Sequence, residues 1–125
     1  MNKSIELLAR ILLGHIFLLA GLSKIDAYAG TQGYMEAMGV PGALLPLVIA
    51  LEIAGGLAVI VGFKTRWASY ALAAFTVVAA IIFHRNFADQ MQMIMFMKNM
   101  SITGGLLLLS VHGSGVFSLD RKLGS

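Results

Sequence analysis

The sequence predicts an all-α integral membrane protein, a four-helix bundle with both termini in the cytoplasm. Two bulk observations and one local one lead there. Of its 125 residues, 58% are hydrophobic and only 12% are charged, against about 25% charged in an ordinary soluble domain. Apolar runs predict spans at about 5–25, 43–62, 67–84 and 96–112, each near the roughly 20 residues that cross a hydrocarbon core. Within the second, Glu52 stands with no other charge for many residues on either side. A carboxylate at that depth is expensive, so it must face protein and have a partner.

Four such spans leave only short loops and tails, so one transmembrane domain over residues 1–125 is expected. The first run has no small-x-small cleavage pattern and contains Arg10, which marks it as a helix of the mature protein rather than a signal peptide. The absence of cysteine removes disulfide exchange, thiolate catalysis and Cys-ligated metal centres. A net charge of +3 does not point to nucleic acid: the cations sit at helix ends, where anionic headgroups account for them. The lipid bilayer is the first expected partner.

Each span carries small or polar residues at three- and four-residue spacing, which predicts the face turned toward the bundle axis. In the first these are Arg10, Gly14, Phe17, Gly21 and Lys24. The segment 26–42 that follows is the longest connection, with a short interfacial helix over 31–38 capped by Thr31 and ended by Gly39. Pro41 leads into the second span, whose stripe is Glu52, Gly55, Gly56, Val59 and Gly62. The third presents Ser69, Ala73, Thr76, Ala80 and His84. The fourth presents Lys98, Ser101, Gly105, Leu108 and His112. Lys3, Lys64, Arg66, Arg121 and Lys122 gather on one side of this topology, which the positive-inside rule assigns to the cytoplasm. Asp26, Glu36 and Asp89 mix with Lys24, Arg85 and Lys98 on the other.

Depth along the helices suggests how the buried charges pair. Glu52 lies roughly 15 Å and Arg10 roughly 8 Å from the cytoplasmic interface, a gap an arginine side chain can bridge. An Arg10–Glu52 ion pair is therefore expected, first as a clamp between two helices and second as a proton-responsive carboxylate near a cavity. His15 falls on another face and is expected to bond a nearby carbonyl. Lys24, His84, Arg85, Lys98 and Asn99 fall at the outer ends of three helices. Lys24, His84, Lys98 and Asn99 form the candidate ligand and proton site, because such donors suit a quinone carbonyl, a phenolate or a lipid phosphate. Ordinary snorkelling of cations at helix ends is the competing explanation. The methionines at 91, 93, 95, 97 and 100 suit flexible packing better than Cu(I), since alternate residues of a helix diverge. No catalytic residue and no metal site are assigned.

Arg10 with Gly21-Leu22-Ser23-Lys24, then Glu52, then Gly62-Phe63-Lys64-Thr65-Arg66 resemble the DoxX family of small bacterial membrane proteins. His84, Lys98-Asn99 and the tail Gly113-Ser114-Gly115-Val116-Phe117-Ser118-Leu119-Asp120 continue the match. The resemblance implies a multi-pass protein of the bacterial inner membrane associated with quinone-linked redox systems. It implies a quinone as a non-covalent ligand, a redox partner protein, and Arg10, Lys24, Glu52, His84, Lys98 and Asn99 as the residues to test. The leading expectation is an accessory subunit of a quinone-linked oxidoreductase that binds a quinone or phenol. A non-catalytic scaffold or assembly factor, with small-residue stripes joining copies into a homo-oligomer, comes second. A transporter or channel comes third, since no inverted repeat or mid-span proline is visible.

Overall fold

The computed structural model describes residues 3–115 and 118–123, so Val116 and Phe117 of the tail motif lie outside the described residues. Among them there is no strand. The helices are α1 (Lys3–Asp26), α2 (Tyr28–Ala37), α3 (Leu45–Val61), α4 (Thr65–Phe83), α5 (Gln90–His112) and the short α6 (Leu119–Lys122), with a 3-10 turn at Gly42–Leu44 leading into α3. Four segments are long and apolar enough to cross a membrane: Lys3–Asp26, Gly42–Val61, Thr65–Phe83 and Gln90–His112. Trp67 and Leu47, 69% and 67% exposed, show the outward face of such a bundle, which lipid rather than water covers.

α1 and α3 are the tightest pair, and glycine is the reason. A Cβ built on Gly14 would stand 2.8 Å from the Gly56 carbonyl oxygen, and one on Gly56 would stand 2.8 Å from the Leu18 nitrogen. Only bare backbones approach so closely. Gly21 faces Ile53 while Gly14 faces Ile60, so the two helices run antiparallel. α3 packs in turn on α4, and α4 on α5, around Phe17, Val59, Leu72, Ala73 and Leu106. α1 and α5 touch only sparsely. Between them runs an apolar groove of about 710 Å³, walled by Leu12 and Leu13 on one side and Gly105, Leu108 and Leu109 on the other.

The two ends of the bundle are built differently. At the terminal end, which carries the first residues of α1 and the chain's tail, α3 stops at Gly62. Its left-handed backbone (φ 74°) and the absence of a side chain both matter, because a Cβ there would run into Arg10 Nη1 and Ser118 Cβ. The tail then crosses this turn: the Asp120 amide donates to the Gly62 carbonyl at 2.7 Å. The Asp120 carboxylate accepts from the amides of Lys64 at 2.7 Å and Thr65 at 3.0 Å, satisfying orphan donors at the start of α4. At the opposite end α2 lies across the helix ends, held by buried Met35, a Gln32 bond to the Gly42 carbonyl at 3.2 Å and a Tyr34–Phe83 stack with centroids 5.4 Å apart.

The inward faces of the first three spans are those expected: Arg10, Gly14, Phe17 and Gly21, then Glu52, Gly55, Gly56, Val59 and Gly62, then Ser69, Ala73, Thr76 and Ala80 are all buried. The fourth is corrected. Thr103, Leu106 and Ser110 face inward, whereas Lys98, Ser101 and His112 are exposed and Leu108 is 71% exposed. Leu106–Leu109 is apolar on every face, so polarity there carries no directional information. α5 also begins six residues earlier than 96, because Asp89 caps it by accepting from the Met91 amide at 3.0 Å. The interfacial helix starts at Tyr28, and Thr31 is internal, its hydroxyl donating back to the Ala27 carbonyl at 2.8 Å.

Candidate functional site

At the α2 end the helices splay enough to enclose a cavity of about 530 Å³, within the range of small-molecule sites. All five of α1 to α5 contribute to it. Phe17, Phe75, Phe83 and Tyr34 give it aromatic walls, and Met35 with Thr31 on α2 forms its roof. Lys24, Glu52, His84, Lys98 and Asn99 lie on its wall, together with the hydroxyl-bearing Thr31, Tyr34 and Thr76. The four residues singled out as a ligand and proton site, Lys24, His84, Lys98 and Asn99, thus share one cavity.

Their local settings differ. Lys24, on the last turn of α1, reaches Glu52 with Nζ 2.8 Å from Oε1, and the Glu52 side chain is only 5% exposed. The ammonium stem is long enough to follow the α1–α3 contact up to this carboxylate, and Lys24 itself stays partly exposed at the rim. His84 terminates α4, its amide donating to the Ala80 carbonyl at 2.9 Å. Burial first, and the positive charge of Lys98 second, hold its imidazole below the usual histidine range. It is therefore neutral at pH 7. Asn99 donates to the Thr76 carbonyl at 3.3 Å, tying α5 to α4 beside the cavity.

The expected Arg10–Glu52 pair does not form. Both residues are buried, at 1% and 4% exposure, but each has other partners. Arg10 Nη1 donates to the Ile60 carbonyl at 2.9 Å and approaches the Val59 carbonyl at 3.4 Å. Antiparallel packing with Gly14 opposite Ile60 brings Arg10 to the level of Gly62. From Glu52 to Gly62 is ten positions, roughly 15 Å along a helix, beyond the reach of one side chain. Arg10 instead caps the last turn of α3, where carbonyls lack intrahelical donors, and sits in the field of Asp120. For Asp120, burial pushes the carboxyl up. The amide bonds from Thr65 and Lys64, with lesser help from Arg10, outweigh that and hold it below the ordinary range.

His15 faces outward and its Nδ1 lies 2.6 Å from the Leu12 carbonyl, the local bond expected of it. His112 pairs with Glu6, Nε2 to Oε2, at 2.6 Å at the terminal end. Among the described residues no three His, Asp or Glu side chains converge as metal ligands. Sequence reasoning missed the roof of the cavity: Tyr34, Met35 and Phe83 belong to its wall, and only the aromatic in a short helix beside a span end hinted at it.

A bundle of membrane-spanning helices with a glycine-tight α1–α3 pair and a polar-rimmed cavity under an interfacial helix defines a class of small multi-pass protein. The DoxX family model matches residues 5–85, and the chain belongs to that family. It is similar to inner membrane protein YqjF of Escherichia coli (strain K12), 56% identical over 117 residues covering 94% of this chain and 90% of that protein. It is also similar to inner membrane protein YphA of the same strain, 36% identical over 123 residues covering 93% and 88%. A third relative is "Putative oxidoreductase CatD" of Bacillus subtilis (strain 168), 36% identical over 127 residues covering 96% and 90%. No solved structure gives a significant match. The chain is a multi-pass protein of the bacterial inner membrane.

Proposed function

We propose that this protein binds a quinone or phenol in the cavity at the α2 end and serves a membrane redox partner as an accessory subunit. The observation that carries the reading is the convergence of Lys24, Glu52, His84, Lys98 and Asn99 on one aromatic-walled cavity. An apolar space of this size with a few directed polar groups suits a flat ring bearing oxygens. The name of the CatD relative, an oxidoreductase, is consistent with it. A bound quinone would supply the redox chemistry. The residues of this chain would hold the ring between the aromatic walls, donate hydrogen bonds to its oxygens from Lys98 and Lys24, and exchange a proton through neutral His84.

The same reading places both termini in the cytoplasm, supported by Lys3, Lys64, Arg66, Arg121 and Lys122 at the terminal end. The cavity then opens toward the outer face of the membrane.

Trp67 lies at the start of α4, at the opposite end from the cavity, and is a poor reporter. The test uses Tyr34→Trp as a fluorescent reporter and heat protection of the unmodified chain, each titrated with short-chain quinones and simple phenols. Saturable quenching and a rising unfolding midpoint are expected. No saturable response to any of these rings would remove the reading.

The open groove between α1 and α5 favours a second reading, a scaffold that docks another helix there. Filling it with Gly105→Leu would then abolish assembly with a partner while leaving ring binding at the other end intact.

A further inference from the structure

We propose that the cavity takes its ligand as an anion, an ionised acidic phenol or hydroxyquinone, and discriminates against the neutral ring; this rests on the ligand reading above. The argument is a charge count on the cavity wall. The titratable groups facing it are Lys24 from α1, Tyr34 from α2, Glu52 from α3, His84 at the end of α4 and Lys98 from α5. Glu36 and Arg85 belong to neighbouring surface and not to this wall. Lys24 and Glu52 cancel each other at 2.8 Å.

His84 is neutral for the reasons given above. What remains is Lys98, which has no carboxylate at ion-pair distance among the described residues. The wall therefore carries one uncancelled positive charge. Its effect reaches into the site, since it acts on the His84 ring.

A ligand bearing one negative oxygen completes this wall, and a neutral ring does not. Lys98 is exposed and lies at the rim, where water can solvate its ammonium head. An anion lets it fold over the cavity, where an opposite charge close by is attracted far more strongly than in water. The aromatic walls select a ring to carry that charge, in preference to a hydrated inorganic ion. Glu52 sets the count at one: without it the Lys24 charge would also be released into the cavity. No covalent or redox step is involved.

The probe is 4-nitrophenol, whose ionised form absorbs at longer wavelength than the acid. Its spectroscopic pKa is measured free and bound to the protein in neutral phosphatidylcholine nanodiscs. The bound pKa is expected to fall by about one unit, a roughly tenfold preference for the phenolate. Lys98→Gln should abolish that fall and Lys98→Arg should restore it. Glu52→Gln should enlarge it, an opposite sign that general damage to the bundle would not produce. Lys64→Gln at the far end should leave it unchanged, which excludes a general effect of surface charge.

A bound pKa equal to or above that of the free probe would overturn the inference while leaving ring binding standing. No saturable spectral change at all would overturn both. Displacement of the probe by added phosphatidylglycerol would assign the anion site to a lipid headgroup and overturn the choice of an acidic ring.

Discussion

Arg10 at the terminal end and Lys24 at the α2 end sit on the same helix stripe, one buried and one partly exposed cation, four and three residues from glycines that meet α3. Their surroundings differ. Around Arg10 the polar groups answer one another: its guanidinium meets the α3 carbonyls, and Asp120 meets the amides that begin α4 while its own amide meets Gly62. Around Lys24 such bonds are fewer, Lys24 to Glu52 and Asn99 to the Thr76 carbonyl, and His84 and Lys98 line a void. Polar groups whose bonds close on the protein itself hold a fold together. Polar groups arranged around space are available to something else. The two ends thus separate closed polar bonds from polar groups around a cavity within one bundle.

The largest effect that would break this division belongs to Arg10. Arg10→Met removes charged hydrogen bonds to buried carbonyls, and about 3 kcal/mol of stability should go with them. Denaturation in mild detergent should show it as a much lower unfolding midpoint, with heat protection by a bound ring preserved. A variant with unchanged stability and lost protection would place function at the wrong end.

Asp120→Ala should cost about 1 kcal/mol, as other lost helix caps do. Its pH dependence has a definite sign. The folded carboxyl titrates below its unfolded value, so its stabilisation is complete above pH ~4 and disappears as pH falls through the folded value. Stability curves of the two proteins should therefore converge in acid. Divergence there would contradict the proposed bonds.

Tyr34→Leu sharpens the picture of the roof. Loss of the stack on Phe83 should cost about 0.5–1 kcal/mol and weaken ring binding more than it weakens the fold. The smallest effect is expected from His84. Its imidazole is held below the usual range by burial and by Lys98, so the fold favours the neutral ring. That contribution is complete above pH ~6.5 and is lost as pH falls through that value toward the folded pKa. His84→Gln should flatten a shallow acid-side slope in the unfolding midpoint, measured between pH 5 and 7.5 as a test window of about two units around the free value.

How much of this was legible in the sequence depends on what stood out against grease. Gly14, Gly21, Gly55 and Gly56 are small among large residues, and Arg10 and Glu52 are charged among neutral ones, so the inward faces of α1 and α3 could be read directly. Pairing could not. It depends on the register between two helices, which is fixed by which glycine meets which backbone; Gly14 opposite Ile60 sends Arg10 to the end of α3 and leaves Glu52 to Lys24. The face of α5 was hidden for the opposite reason, since four consecutive leucines give no contrast. Its start could have been read from Asp89, a residue type that favours caps, but the apolar run alone placed it at 96. The gathering of Lys24, His84, Lys98 and Asn99 at one end followed from topology alone, but the cavity that joins them needed α2 laid across the bundle.

The central claim is that ligand and fold depend on opposite ends of the molecule. The most direct measurement is the rise in unfolding midpoint that a saturating short-chain quinone gives to three proteins in parallel: the unmodified chain, Arg10→Met, and the double variant Lys98→Gln with His84→Gln. The account predicts a low starting midpoint and a full rise for Arg10→Met, and a nearly normal midpoint with no rise for the double variant. A full rise in the double variant, or a rise lost only in Arg10→Met, would contradict it.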